Sequence, residues 1–368
     1  MSAPEADDYA LKSTEAAEIP APELPYQPPM PQTPPPIALI GAGGIAGAHL
    51  EAYRSAGWEV AAICNRTLSR AQARADAFFP KARVSDDWQS VLADPAIKVV
   101  DITPHPADRL PIIEAALKAG KHVLSQKPFT ESLDEAERLI ALAEAEGCQL
   151  AINQNGRWAP HLAWMREATL AGHIGTLTSA HIRMAWNHGW IAGTPFEQMP
   201  DLVLYDFAIH WFDFLATLVP DRLQSVTASA ARAAGQGAKA PLLAQAMVAL
   251  EGGQASFAFD GTTAHGPNDS TLITGTEGTL HATGPDLGQQ SVTLTNAQGR
   301  ATPKLSGTWF NDGFRGAMGE LLCAIEQARP PANSAVSNLP TLALTFAAVA
   351  SARENRAVEI GSIRHLPR

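Results

Sequence analysis

From residue 37 to about residue 150, short apolar runs alternate with stretches of helical period. "IALI" precedes helical spacing over 44–56, "WEVAAIC" precedes 67–78, "VVDIT" precedes 107–119, and "KHVLS" precedes 131–147, before "CQLAINQ" closes the series. Apolar runs short enough for strands, alternating with helices at this spacing, specify βαβ units and a doubly wound parallel sheet. Beyond residue 150 the pattern changes. Helices are predicted near 159–171, 202–218, 313–328 and 340–354, the last ending at Asn355, among longer strand-like runs such as "SAHIRMAW", "AQAMVAL" and "QASFAFDG". This second pattern reads as an α+β domain on a large, open, mostly antiparallel sheet.

Three segments follow: a tail at 1–36, an α/β domain at 37–150, and an α+β domain at 151–368 whose last helix could pack back on the first. The tail is acidic and alanine-rich, then proline-rich in "IPAPELPYQPPMPQTPPP". It reads as a disordered, polyproline-like segment, the alternative being an arm anchored on a neighbouring subunit by Leu24, Tyr26 and Met30. With 368 residues, 46% of them hydrophobic, the chain is long enough for two cores. A formal net charge of −10 argues against nucleic acid or an anionic membrane as partner and leaves a small polar ligand. The three cysteines, Cys64, Cys148 and Cys323, lack paired spacing, so neither a disulfide framework nor a zinc site is expected. The first residues lack the basic and apolar regions of a secretory signal, and no apolar run reaches the ~18 residues of a membrane span. A cytoplasmic location is the expectation.

The chemistry begins at "IALIGAGGIAGAHL", where Gly41, Gly43 and Ala46 make a G-x-G-x-x-G/A pattern between a strand and a helix. Such a loop turns tightly, brings backbone close to a pyrophosphate, and points a helix N-terminus at it. The next strand ends at Asn65, where an acid would usually hold the adenosine ribose. No carboxylate there repels a 2′-phosphate, and Arg66 or Arg70 could bind one, which favours NADP over NAD. The "SQKPF" run places Lys127 at the carboxyl end of a late parallel strand, where open α/β sheets bind ligands, and Pro128 biases it away from helical geometry.

In "LYDFAIHWFDFL", Asp206, His210 and Asp213 stand at i, i+4 and i+7, on one face of an otherwise apolar helix. Ionisable groups on a buried helix must be paired, bound, or turned to a cavity. Three readings are open: a cross-brace of the core, a partial metal site without further ligands, or a general base beside a hydroxyl-bearing substrate.

Taken in order, "GAGGIAGAHL", "VVDITPH", "AALKAGKHVLSQKPF", "NQNGRWAP", "LYDFAIHWFD", "GTEGTL" and "SARENRAVEI" resemble the glucose-fructose oxidoreductase, inositol dehydrogenase and rhizopine-catabolism family (Gfo/Idh/MocA) over about 37–360. The resemblance implies a Rossmann domain and a nicotinamide cofactor, NAD or NADP; no metal is expected, since no second His or Cys cluster accompanies Asp206, His210 and Asp213. Its E-K-P motif falls on Gln126, Lys127 and Pro128, and its D-x-[GA]-x-H-x-x-D pattern on Asp206, Ala208, His210 and Asp213. By that likeness Lys127, Asp206 and His210 form the catalytic set. The cofactor set is Gly41, Gly43, Gly44, Ile45, Ala46, Asn65, Arg66, Arg70, Thr103, Pro104, Gln126 and Lys127.

The activity implied is hydride transfer between a sugar or cyclic polyol carbon and the nicotinamide. Alternatives within the resemblance are an NAD-dependent glycosidase and a non-catalytic sensor. A homodimer or homotetramer joined through the open sheet is also implied. Candidate substrate contacts are Asn155, Arg157 and Trp158, with Asn187, His188 and Tyr205 beside Asp206 and His210. Two departures bear on the site. His105 or Arg109 stands in for the histidine common after the T-P turn. Gln126 replaces glutamate, removing a charge that would hold the proton on Lys127.

Overall fold

The computed structural model describes residues 16–199 and 201–367. The acidic start of the expected tail, residues 1–15, lies outside them. Residues 16–36 are not a detached tail: they run along the body of their own chain. Ile19 N donates to Arg300 O at 2.8 Å, Ser306 N donates to Tyr26 Oη at 3.2 Å, and Gln32 N and Thr33 N donate to the Glu326 carboxylate, each at 3.1 Å. Leu24 and Tyr26 rest on the hydrophobic core of their own chain, whereas Met30 is exposed. Backbone groups that proline-rich sequence leaves unpaired find partners on folded neighbours, which orders the segment without a core of its own.

The first half builds β1 (Ile37–Ile40), α1 (Ala46–Ser55), β2 (Val60–Cys64), α2 (Leu68–Phe78), β3 (Arg83–Ser85), α3 (Trp88–Leu92), β4 (Val99–Ile102), α4 (Pro106–Lys118), β5 (His122–Gln126), α5 (Leu133–Ala145) and β6 (Leu150–Asn153). The six strands are parallel in the order β3-β2-β1-β4-β5-β6. The order reverses at β1, so a crevice opens beyond the carboxyl ends of β1 and β4. β3 and α3 went unanticipated because neither carries an apolar run of useful length.

The second half builds α6 (Pro160–Leu170), β7 (Leu177–Ala185), α7 (Ile209–Leu218), β8 (Leu223–Ala231), β9 (Leu243–Leu250), β10 (Gly253–Asp260), β11 (Asn268–Gly275), β12 (Gly278–Asp286), β13 (Gln289–Asn296), β14 (Gly299–Ala301), α8 (Trp309–Glu326), α9 (Ala335–Glu354) and β15 (Val358–Glu359). Nine strands form one sheet, β14-β13-β12-β11-β7-β10-β9-β8-β15, antiparallel except where β10 pairs with β7.

The two halves share packing. Phe314, Met318 and Leu321 of α8 join Ile37, Leu39 and Leu50 in one core, and α9 touches both α5 and β6. α9 starts a turn earlier than expected because the Ser334 side chain caps it, accepting from Ser337 N at 3.2 Å, and it ends with Asn355 in the left-handed conformation. By length and composition α9 could cross a membrane, at mean hydropathy 1.4, but 72% of that window is buried inside the protein. The reading that no run reached membrane length is corrected to that extent.

Candidate active site

The glycine loop leaves β1 at Gly41, whose φ is +105°; a Cβ there would stand 2.4 Å from Thr103 Oγ1 and 2.8 Å from Pro104 Cδ. Only glycine takes that conformation against the end of β4. Thr103 Oγ1 donates to Gly41 O at 2.8 Å and locks the two strand ends together. Gly43 and Gly44 have nothing within 4 Å of where a Cβ would be, so backbone faces open space before α1, while Ala46 is fully buried under that helix. This cradle fits the diphosphate of a dinucleotide.

Asn65 braces the loop: its Oδ1 accepts from Ala42 N at 2.9 Å and its Nδ2 donates to Thr67 O at 3.0 Å. Arg66 and Arg70 are exposed and do not line the cavity. A third arginine, missed in the sequence, does reach the loop: Arg74 Nη2 donates to Gly43 O at 2.9 Å. Its signal was available, since Arg66, Arg70 and Arg74 recur at helical spacing.

From this loop a cavity of about 750 Å³ runs to the carboxyl end of β5 and the first turn of α7. Gly41, Gly43, Gly44, Ile45, Asn65, Thr103 and Pro104 line its near end, and Gln126, Lys127, Asn155, His188, Tyr205, Asp206 and His210 its far end. Lys127, followed by a cis bond to Pro128, donates from Nζ to the Asp206 carbonyl at 2.8 Å and to Asp206 Oδ1 at 2.9 Å.

Asp206 does not lie on one continuous helix with His210, as the spacing predicted. Val203–Phe207 form a π turn, with Ala208 N donating to Val203 O at 2.7 Å, before α7 begins. That widened turn breaks the shared face, and such turns recur at functional sites. Asp206 and His210 both still reach the cavity, but Asp213 does not.

Asp213 is instead buried against Arg157, with Nε–Oδ2 and Nη2–Oδ1 both 2.7 Å, and accepts from Thr341 Oγ1 at 2.8 Å. Arg157 is therefore corrected from substrate contact to core brace. Trp158 is corrected likewise: it is buried against Gly316, where a Cβ would stand 2.1 Å from the indole Cγ. Asn187 also lies outside the cavity, its Oδ1 accepting from Gly189 N at 2.8 Å.

His210 meets Trp309 edge to face at 5.6 Å, and Trp309 stacks on Trp211 at 5.7 Å. No sequence signal marked Trp309, which comes from α8. Burial first, and then the Lys127 charge, push the His210 pKa well below 6.5. Its imidazole is neutral at pH 7 and able to take a proton. His105 and Arg109 both line the cavity. Arg109 is almost wholly buried, and burial lowers its pKa to about 9; its nearest partners, Ser125 Oγ and Lys127 O, are each 3.5 Å away.

Gln126 is placed differently from the charge argument made for it. Its Oε1 accepts from Lys127 N at 2.6 Å, and its Nε2 lies 3.2 Å from His49 Nε2.

A parallel sheet in this order, with this loop at its switch point, defines a dinucleotide-binding Rossmann domain. Residues 36–154 match the family described as "Oxidoreductase family, NAD-binding Rossmann fold", and residues 162–281 match the "GFO/IDH/MocA C-terminal domain". The chain belongs to the Gfo/Idh/MocA oxidoreductase family. It is 27% identical over 343 residues to a D-apiose dehydrogenase of Paraburkholderia graminis, covering 89% of this chain and 90% of that one. To an inositol 2-dehydrogenase of Rhizobium meliloti it is 24% identical over 332 residues, covering 88% and 98%. The crystal structure of an Agrobacterium radiobacter oxidoreductase with NAD+, L-tartaric acid and magnesium superposes with a TM-score of 0.81 at 23% identity, covering 90% of this chain and 99% of that one. At that identity the likeness establishes the fold.

Proposed function

We propose that the chain is a dehydrogenase acting on a hydroxyl carbon of a sugar or cyclic polyol. The observation that carries this is the Lys127–Asp206 contact beside His210, at one end of a cavity whose other end is the glycine loop. The names of its relatives, D-apiose dehydrogenase and inositol 2-dehydrogenase, support the substrate class.

When bound, the nicotinamide dinucleotide supplies the hydride acceptor. The chain's own work is to bind, orient and move a proton. Gly41 to Ile45 hold the diphosphate. Lys127 gives two of its three N–H donors to Asp206, leaving one for the substrate oxygen. Asp206 thereby fixes the ammonium where negative charge develops as the hydroxyl loses its proton. His210, neutral because of burial and the nearby ammonium, takes that proton. Asn155, His188 and Tyr205 are positioned to orient the remaining hydroxyls. Trp309 and Trp211 shield His210 from water on one side.

At the adenosine end, the carboxylate-free Asn65 and exposed Arg66 and Arg70 favour NADP over NAD. A panel of aldoses and cyclic polyols assayed separately with NAD and NADP tests both points. Net reduction of coenzyme with at least one free sugar or polyol is expected. Cleavage of a glycoside without net reduction would overturn the reading in favour of a glycosidase, and binding without turnover would favour a sensor.

A further inference from the structure

Below the end of β5 lies a closed polar cluster that the chemistry above leaves unused. His49, fully buried on α1, places Nδ1 2.7 Å from Asp101 Oδ2 on β4. Tyr53 Oη donates to the same carboxylate oxygen at 2.6 Å. The other ring nitrogen, Nε2, faces two side-chain amides: Gln126 Nε2 at 3.2 Å and Asn153 Nδ2 at 3.2 Å. Gln126 and Asn153 are register partners at the ends of β5 and β6.

The proton positions follow from one contact. Gln126 Oε1 accepts from the backbone N–H of Lys127, a group that can only donate, at 2.6 Å. The oxygen being committed there, it is the NH2 of Gln126 that faces His49. A ring nitrogen facing NH2 groups must accept, so the single ring proton of His49 sits on Nδ1 and points at Asp101. Donors and acceptors then run in one direction, from Lys127 N–H through Gln126 and His49 to the Asp101 carboxylate. A glutamate at position 126 would bring no N–H, so His49 would have to carry a proton on Nε2 to meet it. The amide at this position is thus matched to His49.

We propose that His49, held by Asp101, is a positioning residue for Lys127: its Nε2 lone pair accepts from Gln126, and Gln126 fixes the backbone from which Lys127 reaches Asp206. This role depends on the function proposed above for Lys127. A misplacement of the lysine by a fraction of an ångström matters because its value lies in where its charge is held.

Nitrogen-15 NMR of histidine-labelled, ligand-free protein tests the proton placement without any turnover. A neutral His49 protonated on Nδ1 is expected, and a proton on Nε2 overturns the proposal. Kinetics with the best sugar or polyol then test positioning. His49→Asn keeps a donor toward Asp101 but offers no acceptor at the Nε2 position, whereas His49→Gln keeps that acceptor and gives up Asp101.

His49→Asn should lower kcat by roughly 10- to 100-fold, with cofactor affinity kept and a larger primary deuterium isotope effect. His49→Gln should recover much of that loss. Gln126→Met, near the native length but without the amide, should match His49→Asn, and the double variant should lose no more than either single one. Equal losses in His49→Asn and His49→Gln, or additive losses in the double variant, would reduce the cluster to packing and sink the proposal. If the native enzyme turns over no sugar or polyol, the proposed function fails, while the NMR result still decides the His49 arrangement.

Discussion

Arg157 and Asp213 meet in a two-pronged ion pair, both N–O distances 2.7 Å, and neither side chain lines the cavity. The pair joins α7 to the short turn after β6, and Arg157 also donates to Ala332 O at 2.7 Å ahead of α9. Both residues stand in motifs shared with catalytic and substrate-facing groups, yet their geometry is that of a brace. Asp213→Asn should leave a buried, half-paired guanidinium and cost about 3–5 kcal/mol of stability, read from denaturant midpoints. Folded Asp213→Asn protein should keep most of its kcat. A large fall in kcat without loss of stability would return Asp213 to the site.

Lys127→Ala should reduce kcat by roughly 10²–10³-fold while the protein still binds coenzyme, as fluorescence titration would report. Unchanged turnover would refute the role given to the lysine.

His210 titrates under two influences, burial first and the Lys127 charge second, both opposing the imidazolium. Proton acceptance is therefore retained at neutral pH and lost only as pH falls through a value below 6.5. Lys127→Met removes the second influence and leaves the first. The His210 pKa should rise toward 6.5 but remain below it, which a histidine NMR titration can follow; a downward movement would contradict the assigned cause.

Gly41→Ala should fail at the cofactor cradle, because φ is +105° and the new Cβ would lie 2.4 Å from Thr103 Oγ1. The strained backbone costs about 1–3 kcal/mol, and relief of the clash must part β1 from β4. Lost coenzyme binding with a lowered Tm is the expected result. Native-like coenzyme binding would mean that the loop does not serve as the diphosphate cradle.

The three arginines on and before α2 should separate by coenzyme. Arg66→Ala and Arg70→Ala should lower kcat/KM with NADP by about tenfold or more, the value of a charge-assisted phosphate contact, and leave NAD nearly unaffected. Arg74→Ala should weaken both coenzymes alike, since its hydrogen bond is to the loop carbonyl of Gly43. An equal effect of Arg66→Ala and Arg70→Ala on NAD and NADP would argue against a 2′-phosphate site.

Much of the fold was legible because βαβ units are local. Apart from β3 and α3, each strand and helix of the first half declares itself within a dozen or so residues, and the strand order follows from short crossovers. The glycine loop was legible for the same reason, as was Lys127 at a strand end. What escaped were features whose cause lies far along the chain. Trp309 reaches the site from α8, and residues 16–36 order themselves on groups near Arg300 and Glu326. The π turn at Val203–Phe207 escaped too, because an i, i+4, i+7 pattern presumes an unbroken α-helix.

The sequence by itself determined the two-part α/β and α+β architecture, the dinucleotide loop and the identity of the polar residues available for chemistry. Only the tertiary structure decided how those residues were shared out. It turned Asp206 and His210 toward the cavity, gave Asp213 and Arg157 to each other, and turned Gln126 toward His49. Residue type and spacing record which groups can ionise or donate. Their partners are chosen by which buried groups packing brings within hydrogen-bond reach, and an unpaired charge or donor in the interior is too costly to leave the choice open.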